Sequence, residues 1–548
     1  MKSAHYNVVV VGAGFSGIYS AYRLRKLGLS AVVLEAADGI GGTWYWNRYP
    51  GARCDIPSME YSFQFSDELQ QEWNWSERYA TQPEILKYLE HVADKFDLRR
   101  DIQLNTRVES ASYDEATSLW TIKTNQGQTL TAPYFILGTG SLSVPKDIDI
   151  PGANNFAGRI FRTSTWPKEE IDFTGRRVGV IGTGSSALQA IPIIAEKAKS
   201  LHVYQRTATY AVPANNYPLE EETLKKIKSD YAGLRERERQ NYFAVDLPSP
   251  TQSALEVSPE ERASRYEEKW QEGGFGFMFA YYDLVLSKEA NDAASEFVRS
   301  KIRQIVKDPK VAEILSPKQP ISCKRMCLDI GYYETFNREN VTLVDLQSTP
   351  ILEVTEQGVR TTADHIQFDD LVLATGFDAM TGAIVKMDIR GREGVALKEK
   401  WGNGPSTYLG IATAGFPNLF MVNGPGSPSV LTNMVASIEH HIDWISDCIA
   451  SAMKTGSATV EVTPAAESAW MDHSAMVTGA TLFHSCNSWY LGANVPGKAR
   501  VFMPYVGGYP AYLQKCSEVA RNGYEGFSFS LSPKKFGPKT NSEMFTGV

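Results

Sequence analysis

Val8-Val9-Val10-Val11-Gly12-Ala13-Gly14-Phe15-Ser16-Gly17 is the stretch whose reading decides the fold. Four consecutive β-branched residues suit a strand buried on both faces of a parallel sheet. The glycines that follow allow a tight turn and a close backbone approach to an anion. Ile18 to Leu27 then carries apolar residues at helical spacing, and Gly28 fits the stop. Ala31 to Leu34 reads as a second strand, ending in Glu35. Strand, glycine turn, helix and strand ending in an acid together make a dinucleotide-binding unit, in which the helix N-terminus offers free N–H groups to a pyrophosphate.

The pattern recurs once. Val178 to Ile181 is a strand, Gly182-Thr183-Gly184-Ser185-Ser186-Ala187 a turn, and Leu188 to Glu196 a helix that includes Gln189. Leu201 to Tyr204 is the next strand, followed by Gln205-Arg206-Thr207. The two units differ where the second strand ends. A carboxylate such as Glu35 accepts hydrogen bonds from ribose hydroxyls and repels a 2′-phosphate, which suits the adenosine of FAD or NAD. Arg206 pairs instead with a 2′-phosphate, so the second unit is expected to prefer NADPH. One FAD site and one NADPH site imply hydride transfer from nicotinamide to flavin.

Composition narrows the rest. The chain has 548 residues, 43% hydrophobic and 22% charged, with net charge −8 and no basic block. That is an ordinary globular balance, and it argues against nucleic acid and against a polybasic membrane anchor. No apolar run reaches the length of a membrane span, and a cytoplasmic protein is expected. The six cysteines are scattered, so no disulfide framework is expected. Cys323 and Cys327 lack the further pair that would complete a zinc site, and no metal is expected. His440-His441 reads as surface or packing. Only Cys54 lies early in the chain, which disfavours a disulfide reductase and leaves oxygen as the electron acceptor.

Between about 218 and 318 the sequence turns rich in Glu, Lys and Arg at helical spacing. Ser258-Pro259-Glu260-Glu261 is a capping box with proline at the first helical position. This stretch reads as a helical insertion in the second nucleotide domain. The expected fold is α/β, with two Rossmann-like domains. The boundaries are 1–142 and 378–548 for the FAD part, and 143–377 for the NADPH part. The tail after Ser532 is expected to fray. A substrate pocket is expected at the junction, faced by Asp55, Arg325 and the loop from Ser427 to Met434.

Two longer motifs carry a family resemblance. Gly41-Gly42-Thr43-Trp44-Tyr45-Trp46-Asn47-Arg48-Tyr49-Pro50-Gly51-Ala52-Arg53-Cys54-Asp55 resembles the signature of the class I Baeyer–Villiger monooxygenases. Phe156-Ala157-Gly158-Arg159-Ile160-Phe161-Arg162-Thr163-Ser164-Thr165-Trp166-Pro167 resembles their linker fingerprint, with Arg162 where the family has His. Gly138-Thr139-Gly140 stands where the family usually has Ala-Thr-Gly. Shorter matches extend from about residue 6 to about 528, nearest to the phenylacetone and steroid monooxygenase branch.

The resemblance implies oxygen insertion into a ketone, with FAD, NADPH and molecular oxygen. The oxygen adduct of the reduced flavin must stay anionic, and an anion in a dry site needs a fixed cation beside it. By resemblance that cation is Arg325, oriented by Asp55. Lys324 would join Arg206 and Thr207 at the 2′-phosphate, and Trp489 would hold the nicotinamide side. Gly12, Gly14, Ser16, Gly17, Glu35, Thr43, Trp44, Arg53, Tyr61, Val108 and Met434 are the flavin-side candidates. Gly182, Thr183, Gly184, Ser185, Ser186 and Gln189 are those for NADPH. The alternative is a flavin monooxygenase acting on sulfides or amines, which needs no such cation. A redox-sensing protein that merely keeps FAD is a third reading. A permanent charge at Arg162 is expected to alter domain closure or cofactor retention.

Arg206→Ala is expected to lower the ratio of kcat/KM for NADPH over NADH by about tenfold, since one charge-assisted phosphate contact is lost. An unchanged ratio in steady-state assays with both cofactors would move the recognition to Lys324 alone.

Overall fold

In the computed structural model, which describes residues 3–146 and 150–531, two all-parallel sheets carry the nucleotide units. The first contains β1 (Val8–Val11), β2 (Ala31–Leu34), β3 (Ile102–Gln103) and β4 (Tyr134–Leu137). The second contains β5 (Arg159–Arg162), β6 (Arg177–Ile181), β7 (Ser200–Gln205), β8 (Val341–Asp345) and β9 (Asp370–Leu373). A late strand, β10 (Leu419–Met421), returns to the first sheet beside β4. The orders are β10-β4-β1-β2-β3 and β8-β7-β6-β9-β5. Strands from both ends of the described chain thus share one sheet, and the second sheet lies between them in sequence.

The valine run behaves as a doubly covered strand should. Val8, Val9 and Val10 are fully buried, and β1 pairs with β2 and β4 on its two sides. Helices α1 (Phe15–Lys26) and α2 (Ser185–Lys197) each begin directly after their glycine turn, three residues earlier than periodicity indicated. The glycines extend the turn conformation only to residue 14 or 184, and the following serine and phenylalanine already lie in the helix.

The insertion is helical as expected, with Glu221–Lys228, α3 (Tyr231–Gln240), Pro259–Glu272, Lys288–Ile305 and Pro309–Leu315. Ser258 accepts the Glu261 amide at 3.2 Å, as the capping box requires. Two antiparallel elements gave no comparable sequence signal. Val108–Asp114, Leu119–Thr124 and Thr129–Ala132 form one, and Ile351–Val354, Gly358–Thr361 and His365–Gln367 the other. Their strands are short and half exposed, so alternation is brief. The tail after Ser532 lies outside the described residues.

One pair of cysteines departs from the expected absence of disulfides. Cys323 and Cys486 are bridged across 163 residues, with Cα atoms 6.0 Å apart. Spacing that long carries no local signal. Cys54, Cys327, Cys448 and Cys516 are free and buried. His441 belongs to the packing: its Nδ1 accepts the Asn423 amide at 2.8 Å, and its Nε2 meets the Tyr512 hydroxyl at 2.6 Å.

A buried polar knot ties the insertion to the first nucleotide unit. Arg235 of α3 donates to the Glu238 carboxylate (3.0 Å), the Glu60 carbonyl (3.1 Å) and Ser62 Oγ (2.8 Å). Glu439, on the long helix α4 (Met434–Lys454), accepts the amides of Gln64 and Phe65. The Glu60 side chain accepts one amide, from Asp246, at 2.8 Å, and burial pushes its neighbours up as well, Glu439 to about 8 and Glu238 to about 7. Burial first, and Glu238 second, push Glu60 up to about 8 from an ordinary 4.5. A carboxyl raised on folding binds a proton that the unfolded chain has released, so stability falls as pH rises between the two values. The thermal midpoint is therefore expected to fall between about pH 6 and about pH 8, and Glu60→Gln to flatten that fall. An equal slope in the variant, measured by thermal melts across that range, would remove Glu60 as its source.

Candidate functional site

Three distant segments converge on one guanidinium. Arg325 precedes the short strand Cys327–Asp329, which is anchored beside Ala211–Pro213 in the second unit. Asp55 ends the first signature loop, whose Cys54 amide bonds the Ala80 carbonyl at 3.1 Å. Val430 sits in the loop just before α4, where Asn433 accepts the Val435 amide and donates to the Glu60 carbonyl.

Arg325 Nε donates to Asp55 Oδ2 at 2.7 Å, and Nη2 to Oδ1 at 2.8 Å. Nη1 donates to the Val430 carbonyl at 2.7 Å. The Phe275 ring lies 5.2 Å from the guanidinium carbon. Burial works against the charge, but Asp55, by its charge and its hydrogen bonds, holds the guanidinium above its ordinary value. The bidentate pair fixes the plane of the fork as well as its charge. Both side chains keep some exposure, 27% and 23%.

A cavity open to solvent, with about 550 Å³ of empty space counting its mouth, has Arg325 and Lys324 in its wall. Phe243, Phe275, Met278, Phe279 and Phe483 supply most of its apolar lining, and Leu431 and Thr432 come from the loop before α4. Tyr490 also lines it. Burial raises the Tyr490 phenol, and the Arg325 charge pulls it back down. Asp55 itself lies behind the wall, and its neighbour Ile56 reaches the cavity.

The first nucleotide unit fits a bound FAD. Gly12 has φ +96°, and a Cβ there would meet the Gly138 carbonyl oxygen at 2.6 Å. The N-terminus of α1 has no side-chain cap and no acid in its first turn, so its amides, beginning with those of Ser16 and Gly17, point at an open anion site. Glu35 is buried and accepts the amides of Ala13 (2.7 Å) and Ala37 (2.8 Å), each oxygen keeping a lone pair for a ribose hydroxyl. Thr106 donates its amide to the Glu35 carbonyl at 2.7 Å, which brings Val108 to the same end of the site. Trp44, next to Thr43 at the start of a short helix, donates to the Tyr61 hydroxyl at 3.3 Å. Met434 receives the Asn423 amide on its sulfur at 3.7 Å.

The second unit fits NADPH by the same test. A Cβ at Gly182 would meet the Ala374 carbonyl oxygen at 2.4 Å, whereas one at Gly184 would meet nothing within 4 Å, so the turn faces open space. α2 also starts at Ser185 and Ser186 without a cap or an acid. Burial and the nearby Arg206 both lower the Lys324 ammonium. Neither cation makes an ion pair with a carboxylate among the described residues, so a phosphate between them would relieve their repulsion. Thr183 Oγ1 donates to the Thr207 carbonyl at 3.2 Å, holding that corner. The Trp489 ring lies against Tyr490 at a tilt of 51°, ring centroids 4.3 Å apart.

Two candidates also make structural bonds. Gln189 accepts the Tyr49 hydroxyl at 2.9 Å and donates to the Arg53 carbonyl at 3.1 Å. Arg53 spends its guanidinium on Glu77 and the Tyr79 carbonyl. Gln189 joins the signature loop to α2, and Arg53 joins it to the segment at Glu77 and Tyr79. The Val430 carbonyl, the aromatic wall and Tyr490 escaped the sequence reading, because their roles depend on long-range packing. Arg162 pairs with Leu373 on β9, one residue before Ala374-Thr375-Gly376.

Comparison with known proteins agrees with this geometry. Residues 9–241 match the family model of the pyridine nucleotide–disulphide oxidoreductases. That region contains neither bridged cysteine, so the match concerns nucleotide binding and not a disulfide centre. A Baeyer–Villiger monooxygenase of Pseudooceanicola batsensis is 43% identical, over 95% of this chain and 96% of its own length. Cyclohexanone 1,2-monooxygenase of an Acinetobacter species is 42% identical, over 96% and 97%. The solved structure of an oxidized steroid monooxygenase bound to NADP is 51% identical, covers 96% of this chain and 100% of that one, and superposes with a TM-score of 0.93. With two nucleotide units, a cationic cavity between them and full-length relatives of this kind, the chain belongs to the FAD- and NADPH-dependent Baeyer–Villiger monooxygenases.

Proposed function

We propose that this enzyme oxidises bulky, apolar ketones to esters or lactones, with Arg325 as the charge-stabilising catalytic residue and Asp55 as its positioning partner. The observation that carries the proposal is the bidentate Arg325–Asp55 pair at the wall of a largely apolar, aromatic cavity. Bound FAD, reduced by NADPH, supplies the electrons and the place where oxygen is activated. The residues do the rest. Arg325 offers a permanent positive charge where negative charge develops, first on oxygen and then on the former carbonyl. Asp55 and the Val430 carbonyl occupy three of its donors and leave the remaining N–H groups for the reacting oxygens. The phenylalanines exclude water, which strengthens that interaction.

A sulfide or amine oxidation would not need a fixed cation at the cavity, so the pair argues for ketones. The cofactor assignments follow the two units: Gly12, Gly14, Glu35, Trp44, Tyr61 and Met434 toward FAD, and Gly184, Arg206, Lys324 and Trp489 toward NADPH. Residues 1–142 and 378–548 would make the FAD domain, and 143–377 the NADPH domain. The return of β10 to the first sheet and of β9 to the second supports this division. No described helix is long and apolar enough to cross a membrane. A cytoplasmic setting, with ketone and oxygen as partners, fits the composition.

A panel of ketones, assayed for oxygen uptake and product mass together, tests the proposal. One oxygen atom from labelled dioxygen is expected in an ester or lactone, with kcat/KM at least about tenfold higher for aryl or polycyclic ketones than for acetone, because each buried apolar group adds transfer free energy. Sulfoxide or N-oxide products without any ester would overturn it.

A further inference from the structure

Tyr490 and Phe483 wall the same cavity as Arg325, yet they come from a stretch more than 150 residues later in the chain. Between Leu482 and Asn494 this stretch bonds mainly to its own neighbours in sequence, and the Tyr490 phenol also meets the Arg325 guanidinium. Asn487 receives Arg500 at 2.6 Å, and the Tyr490 carbonyl receives the Met503 amide at 2.9 Å. At its two ends, Leu482 donates to the Val285 carbonyl at 2.8 Å and Asn494 to the Phe377 carbonyl at 2.8 Å. One covalent tie joins the middle of the stretch to the catalytic loop. It is the Cys323–Cys486 bridge, whose first sulfur belongs to the residue just before Lys324 and Arg325.

We propose that the Cys323–Cys486 disulfide is a reducible positioning tether, which holds the Phe483–Tyr490 stretch over the nicotinamide side of the cavity and sets how well NADPH oxidation is coupled to oxygen insertion. The proposal rests on the ketone-oxidising reading above. Three observations support it. The bridge spans the two segments that meet at the cavity, with Arg325 on one and Trp489 and Tyr490 on the other. Besides its contact with Tyr490, Arg325 is anchored by Asp55 and the Val430 carbonyl, so loss of the bridge loosens the stretch while those anchors keep the guanidinium in place. Cys323 is buried and Cys486 is half-buried, so the second residue of the bridge lies nearer to solvent. Disulfides in reducing compartments are commonly redox-responsive rather than structural.

The chemistry balances with a dithiol as reductant. A thiolate of the dithiol attacks the Cys486 sulfur, and Cys323 leaves as a thiolate. The second thiol of the reductant then closes on the first to form its own disulfide. Two electrons and two protons end on the cysteine pair. The tether is gone, and the stretch gains states that the cross-link excluded.

The test uses the holoenzyme with and without dithiothreitol, beside Cys323→Ser/Cys486→Ser. Thiol titration after denaturation should count the four free cysteines before reduction and all six after it. On reduction, KM for NADPH is expected to rise and ester formed per NADPH to fall, each by roughly tenfold, with hydrogen peroxide taking up the difference. The anaerobic rate of flavin reduction at saturating NADPH should stay within about twofold, a split that general loosening of the protein would not produce. Reoxidation should restore the coupling. The double variant should match the reduced enzyme and ignore dithiothreitol. If the variant does not fold, the wild-type pair of measurements still decides. Six titratable thiols before reduction, an unchanged coupling ratio after it, or a double variant that behaves as the oxidised enzyme would each overturn the tether. If no ketone yields ester even in the oxidised enzyme, the functional reading fails, while the NADPH KM still reports on the tether.

Discussion

A guanidinium and a carboxylate 270 residues apart in sequence, bonded through both arms of the arginine fork, set the geometry on which the rest of the molecule depends. The contact is possible only if the first signature loop, the segment after the helical insertion and the loop before α4 all meet. Each of these is carried by a different part of the fold. An isolated cation at such a cavity would lose more to burial than it gains. With Asp55 paired and Val430 accepting, it keeps its charge and a fixed direction. The two parallel sheets serve the same end, since each delivers a helix N-terminus and a nucleotide pocket toward the cleft where Arg325 lies.

Local chemistry made the nucleotide units legible. Val8 to Val11, the turn at Gly12 and the acid at Glu35 lie within one strand–helix–strand unit, so their meaning does not wait on the remainder of the chain. The same holds for Ser258, whose capping role needs only the three residues that follow. Helix starts were misplaced by three residues because the glycine-turn motif overlaps the first turn of α1 and α2, and Phe15 and Ala187 are already buried there. Arg325 and Asp55 were legible as roles only through family resemblance. Nothing in their spacing reveals that they touch.

What escaped the sequence is uniformly long-range. The Val430 carbonyl is a backbone acceptor, and any residue type supplies one. The aromatic wall draws on Phe243, Phe275 and Phe483, from segments whose approach depends on how the insertion docks. That docking runs through the Arg235 knot, where one arginine serves the Glu238 carboxylate of the insertion and carbonyl and hydroxyl groups near Glu60. The cysteine bridge belongs to the same class of feature, because a separation of 163 residues gives no pattern to read. Gln189 and Arg53 also brace the signature loop, the first against α2 and the second against Glu77.

The central claim is that the Arg325 charge lets the bound flavin and oxygen oxidise a carbonyl. Its most direct measurement is the product balance of Arg325→Ala, with FAD occupancy read from the flavin spectrum and ester and hydrogen peroxide counted against NADPH consumed. The account predicts full FAD occupancy, continued NADPH oxidation that ends as peroxide, and ester formation lower by about a hundred- to a thousandfold, the loss expected for one preorganised electrostatic contact. Ester formation within a few-fold of the wild-type rate, in protein with FAD bound, would contradict it.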